Sequence, residues 1–247
     1  PTIQMYDYKT PGNKGNGHLY TNDKVFGIQI GNNANARSND GSVSGIAIGD
    51  YSQSRALGIG LGHYAQSEQI GAIAVGSAAK AKGFNSLAMM RQAYAGEQYA
   101  AAIGTAASAQ GKASLAMGHS ALATGNQSIA IGSANPDPLT DAKGTPYTAY
   151  DEKTNTQANA DRAIAIGQGA KSNTDDSIAM GTGANVVAGK NYKGENFTHG
   201  IAIGSNALSQ GIQGVAIGNR AAHYRDNAVA IGNNAKTYAV DGVSIGN

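Results

Sequence analysis

The chain has 247 residues with 35 glycines, five prolines, no cysteine and no tryptophan, and its 18 Lys plus Arg nearly balance 16 Asp plus Glu. Glycine stands at about twice its usual share, yet no third-residue rule accompanies it, which excludes a collagen helix. The absence of cysteine rules out disulfides and thiol chemistry, no basic stripe supports nucleic-acid binding, and no run of eighteen apolar residues offers a membrane-crossing helix.

Residues 1–27 precede any regular pattern and carry Tyr6, Tyr8, Tyr20 and Phe26. They are expected to fold back as a cap over the first coil, because the end of a coil stack exposes an unpaired edge. The start at Pro1, with no Met and no apolar leader, reads as a mature or excised fragment. From residue 28 to 247 a tetrapeptide, hydrophobic-Ala-hydrophobic-Gly, keeps returning. Its last position falls at Gly31, Gly49, Gly62, Gly76, Met90, Gly104, Gly118, Gly132, Gly167, Gly181, Gly204, Gly218, Gly232 and Gly246, most often fourteen residues apart. Such a beat predicts stacked coils with function on an extended surface. Three intervals are longer, 18, 35 and 23 residues, and predict loops let out of a coil edge with the register kept. Two of these are the insertions near 136–156 and 189–197. Repeat character persists to Asn247, so the chain is expected to continue.

Within a copy such as Ile129-Ala130-Ile131-Gly132, large and small side chains alternate with the two-residue period of a strand. Small residues recur three positions after the marker, as at Ala79 and Ala107, and again two further on, as at Ala81 and Ala109. We read a second short strand whose small inner face opposes an Ile, Val, Leu or Met inner face of the first. On this reading the Ala row of the first strand, Ala74, Ala88, Ala102, Ala116 and Ala130 among others, faces outward and takes the backbone of another copy; the alternative is that the small row only eases coil packing. The Met at position 90 argues against a positive φ throughout the marker row, predicting Met90 in the β region or locally strained, with its side chain outward.

The five histidines make a poor metal set: His63 and His119 share a place in the repeat but lie four coils apart, and His18, His199 and His223 have no ligand partners at useful spacing. No cofactor is expected. Asp151-Glu152 and Asp175-Asp176 read as solvated turns. Gly-x-Gly pairs such as Gly167-Gln168-Gly169 lack the helix a phosphate cradle requires. The aromatics of the two insertions, Tyr147, Tyr150, Tyr192 and Phe197, are candidate ligand anchors; the alternative is that they cover a neighbouring coil or another subunit.

The segments Ser128-Ile129-Ala130-Ile131-Gly132-Ser133, Ser177-Ile178-Ala179-Met180-Gly181-Thr182, Ile201-Ala202-Ile203-Gly204-Ser205 and Val229-Ala230-Ile231-Gly232-Asn233 resemble the head repeats of YadA-like trimeric autotransporter adhesins. The long insertions are similar to those of the ubiquitous surface adhesins of Moraxella. The resemblance implies an all-β fold, a left-handed parallel β-roll of 14-residue coils assembled as a side-by-side homotrimer. It also implies a place on the bacterial cell surface, distal to the outer membrane and anchored only through a C-terminal region beyond this sequence. Heads of this family bind collagen, fibronectin, laminin or host-cell receptors without catalysis. The repeat type tied to collagen binding has its counterpart at 128–133, which makes Ser128 and Ser133 candidate ligand-binding residues, whereas Gly200 replaces the leading Ser before 201–205. A structural spacer of a surface fibre is the competing reading. A hexapeptide-like acyltransferase is a remote one, since fourteen is not a multiple of six.

Overall fold

The computed structural model describes residues 19–22, 25–36, 45–134 and 154–246. Among these every regular element is a strand, so no helix is available to cross a membrane. The chain forms two compact units, residues 1–106 and 107–247. Both are built from the same coil, in which a three-residue strand, a tight corner, a two-residue strand and a second corner follow one another. In the coil of Gly76 these are Ile73–Val75 and Lys80–Ala81. Three-residue strands pair in parallel with those of adjacent coils to make a wide sheet, and two-residue strands likewise make a narrow one.

The register is kept across the long intervals. Ile28 pairs with Ile46, Ile129 with Ile164, and Ile178 with Ile201, like residue over like. The long intervals fall at different corners of the coil: one comes after the wide-sheet strand Ile129–Ile131, the other two after the narrow-sheet strands Asn35–Ala36 and Asn185–Val186. In the first unit Leu19–Asn22 adds an antiparallel strand beside Val25–Ile30. The remainder of the segment expected to act as a cap, residues 1–18, lies outside the described residues.

Which face is inside differs from the sequence expectation. The alanines of the wide strands, including Ala47, Ala74, Ala88, Ala102, Ala116, Ala130 and Ala165, are fully buried, while the flanking Ile, Leu, Val and Met residues are half-exposed or exposed. The small row is the core and the large row faces out. Alternation tells which residues share a face, but the size of the coil decides which face is enclosed. Two strands this short enclose about four side chains per coil, in the Gly76 coil Ala72, Ala74, Ala79 and Ala81, and leave no volume for isoleucine. The small inner face of the narrow strand agrees with expectation.

The motif's leading serine is internal as well. Ser86, Ser114 and Ser128 are buried, and each donates its hydroxyl to the backbone carbonyl three residues earlier, on Gly83, Gly111 and Gly125, at 2.6–2.7 Å. Each corner carbonyl also accepts the serine's own backbone N–H, so the hydroxyl supplies its second lone pair with a partner.

The marker row needs glycine for two reasons at once. Gly76 has φ +130°, and a Cβ built on it would stand 2.7 Å from the carbonyl oxygen of Met90 in the next coil. Met90 itself has φ +86°, so positive φ continues through this position: of the two alternatives the β region is wrong and local strain holds. Its side chain does point outward, at 51% exposure. The strand ladder fixes the backbone here, since Met90 N–H donates to Val75 O at 2.7 Å whatever the side chain prefers.

Candidate functional site

The outer faces of the two sheets differ, the wide one being apolar and the narrow one mixed. In the second unit the outward positions of the wide strands run Leu115 and Met117, Ile129 and Ile131, Ile164 and Ile166, Ile178 and Met180, and so on to Val243 and Ile245, with no polar side chain among them. In the first unit the same positions carry only Ile, Leu, Val, Met and Ala. The narrow strands of the second unit instead present Gln157, Lys171, Asn185 and Lys236, with Leu122, Leu208, Ala222 and Ser108 between them. A face meant for water has no reason to exclude Lys, Gln and Thr at every coil, and in each unit the two apolar rows form an exposed apolar patch.

The sequence candidates do not converge. Ser128 is fully buried and hydrogen-bonded within its own corner, so it cannot meet a ligand, and its candidacy is corrected on that ground. Ser133 is exposed on the corner after the wide strand, where its hydroxyl oxygen accepts from His119 N–H at 3.2 Å. Tyr147 and Tyr150 lie outside the described residues. Tyr192 and Phe197 belong to the other insertion, at the opposite corner.

That insertion is a short hairpin. Lys190 bridges Asn196 in antiparallel fashion, Phe197 N–H donates to Gly189 O at 2.8 Å, and Asn191 N–H donates to Glu195 O at 2.9 Å. Asn191 holds the tip: its Oδ1 accepts from the backbone N–H of Lys193 and Glu195, each at 3.0 Å, and its Nδ2 donates to Asp226 Oδ2 at 2.9 Å. Tyr192 projects from the tip at 82% exposure, with the Lys193 ammonium 5.6 Å from its ring centroid. Phe197 is half-buried over Gly189, where a Cβ would meet the ring at 2.8 Å. Of the pair, Tyr192 faces solvent and Phe197 covers the coil.

The charged corner beside the hairpin is a structural ladder. Asp161 N–H donates to Asp175 Oδ1 at 3.0 Å, and Asn126 N–H to Asp161 Oδ1 at 2.8 Å. Arg162 pairs with Asp176 through two hydrogen bonds, which hold the Asp176 carboxyl below the usual range. Among the described residues no group of three or more His, Asp or Glu could hold a metal ion.

Two features escaped sequence reading. One is His223, fully buried, with Nε2 2.6 Å from Ser209 Oγ and Nδ1 3.2 Å from Arg225 O. Burial pushes its pKa down, so it is neutral, with Nδ1–H donating to the carbonyl and Nε2 accepting from the serine. The other is the functional sense of the Ile rows, whose signal was present but assigned to the interior.

The repeat profile described as YadA head domain repeat (2 copies) matches residues 67–89, 109–135, 154–184, 198–221 and 226–247, together just over half of the chain. The chain belongs to the YadA head repeat family. Among solved structures it is similar to the collagen-binding domain of the Yersinia adhesin YadA, with 25% identity over 67% of this chain and 68% of that one and a TM-score of 0.43. No curated protein shows significant similarity to it.

Proposed function

We propose that this chain is the non-enzymatic head of a bacterial surface adhesin, working as a side-by-side homotrimer that engages host matrix proteins or cell-surface receptors through several equivalent flanks. Collagen, fibronectin and laminin are the matrix proteins to test first. The observation that carries the reading is the pair of unbroken apolar rows on the outer face of the wide sheet, in a chain of the YadA head repeat family. Burying those rows between copies leaves the polar narrow sheets and the corners facing outward. Ligand contacts then fall to protruding side chains such as Tyr192 and Ser133, with Phe197 bracing the hairpin and Tyr147 and Tyr150 on the longer insertion. Three copies of a weak site on one particle multiply attachment without any single tight contact.

The test is surface-based binding of the intact fragment to collagen, fibronectin and laminin, with molar mass measured in the same solution. Saturable binding by a trimer, weakened by Tyr192→Ala, supports the reading. A folded trimer that binds none of the three and no host cell would favour the spacer of a surface fibre instead.

A further inference from the structure

We propose that the cleft under the 189–197 hairpin binds an uncharged pyranose, the terminal neutral sugar of a host glycan. The cleft exists because the hairpin interrupts a column of tightly stacked corners. At Gly111 a Cβ would come within 2.0 Å of Gly125 O, and at Gly125 within 1.8 Å of Ala160 O, so regular corners leave no space. Further along the same column stands Thr174, and beyond it the hairpin takes the place of the next regular corner. A cleft of about 480 Å³ results, within the 300–1,000 Å³ usual for small-molecule sites.

Its lining suits a sugar ring. Phe197 supplies an aromatic ring, the partner of the apolar C–H face of a pyranose. Around it stand polar groups with unused hydrogen-bonding capacity: among the described residues the Lys190 ammonium, the Asn196 amide and the Thr198 hydroxyl have no side-chain partner, and Asp175 uses only one carboxylate oxygen. A carboxylate accepts from sugar hydroxyls, an ammonium donates to them, and an amide does both. One cation and one anion leave the cleft without net charge. A phosphate, sulfate or carboxylated sugar would want an excess of donors, usually a guanidinium fork, which this cleft lacks. The backbone bonds of the hairpin and the Asn191–Asp226 tie fix the backbone that carries Lys190, Asn196 and Phe197 before any ligand arrives.

The biological use of such a site rests on the adhesin reading, but its existence does not. Saturation-transfer NMR of the intact fragment with lactose, methyl α-mannoside and, as the anionic comparison, sialyllactose tests it. The expected result is transfer to a neutral sugar at about millimolar affinity, as befits an open cleft, weakened about tenfold by Phe197→Ala and by the surface variant Asn196→Ala. Matrix-protein binding and molar mass serve as independent readouts that Asn196→Ala should leave unchanged, with molar mass alone serving for Phe197→Ala, which separates failure of the sugar site from failure of the adhesin reading. Absence of transfer from both neutral sugars, equal transfer in both variants, or preference for the anionic sugar would overturn the proposal.

Discussion

Gly214 lies directly against the imidazole of His223: a Cβ built on the glycine would stand 2.0 Å from Cε1 and 2.4 Å from each ring nitrogen. An interior made of Ala and Ser accepts one large side chain only where the facing residue has none. Val186 and Gly200 repeat the arrangement, with 2.7 Å between the built Cβ and Val186 Cγ1. Gly214→Ala is therefore expected to destabilise the second unit by about 1–3 kcal/mol through overpacking. The double variant Gly214→Ala/His223→Ser, which restores the ordinary pairing of the repeat, should recover most of the loss in a thermal melt. A single variant as stable as the parent would show that the ring has room to move.

His223 also gives acid sensitivity a sign. Its pKa is depressed in the folded state by burial, so below the unfolded value of about 6.5 the unfolded chain binds a proton that the folded chain refuses. Stability from this group is fully present above that pH and falls as pH drops, at up to about 1.4 kcal/mol per unit until the folded-state pKa is reached. Denaturant titrations at pH 7.5, 6.0 and 5.0 should show the decline, and the Gly214→Ala/His223→Ser variant should lack this component. Identical slopes in the two proteins would contradict the assignment.

Met90 keeps a glycine's backbone conformation at φ +86°. Strain of this kind costs about 1–3 kcal/mol, against about 0.5–1 kcal/mol for the extra chain entropy of glycine. Because the side chain is half-exposed and contributes little burial, Met90→Gly should raise stability by about 0.5–1 kcal/mol. A lower melting temperature would mean that the thioether makes contacts worth more than the strain.

Much of this architecture was legible in the sequence, because the fourteen-residue beat fixes strand length, coil count and the register that Ile129 and Ile164 keep across a 35-residue interval. Polarity was not. Ala130 and Ile131 alternate in either sense, and only the width of the closed coil shows that alanine is the one that fits inside. The role of Ser128 failed for the same reason: a residue at the head of a recurring surface-protein motif looks like a contact, whereas its hydroxyl closes a corner. Tyr192 was identifiable as an exposed loop aromatic by composition alone. The cleft beside it was not, since it depends on residues from separate coils, Asp175 and Phe197 among them, meeting across a corner.

The apolar rows make the next expectation specific. Ile166→Lys and Ile203→Lys each place a charge on the face proposed to lie between copies, and either should shift the fragment toward smaller species. The polar-face change Lys171→Glu should leave its assembly intact. Equal effects from both faces would remove the distinction between them.

Light scattering coupled to size exclusion tests the central claim most directly, since an apolar face proposed to be covered by other copies implies an assembly in solution. At micromolar concentration the fragment should have about three times the 25.0 kDa mass of one chain, with Ile203→Lys lighter. A stable, cooperatively folded single chain at that concentration would contradict the account.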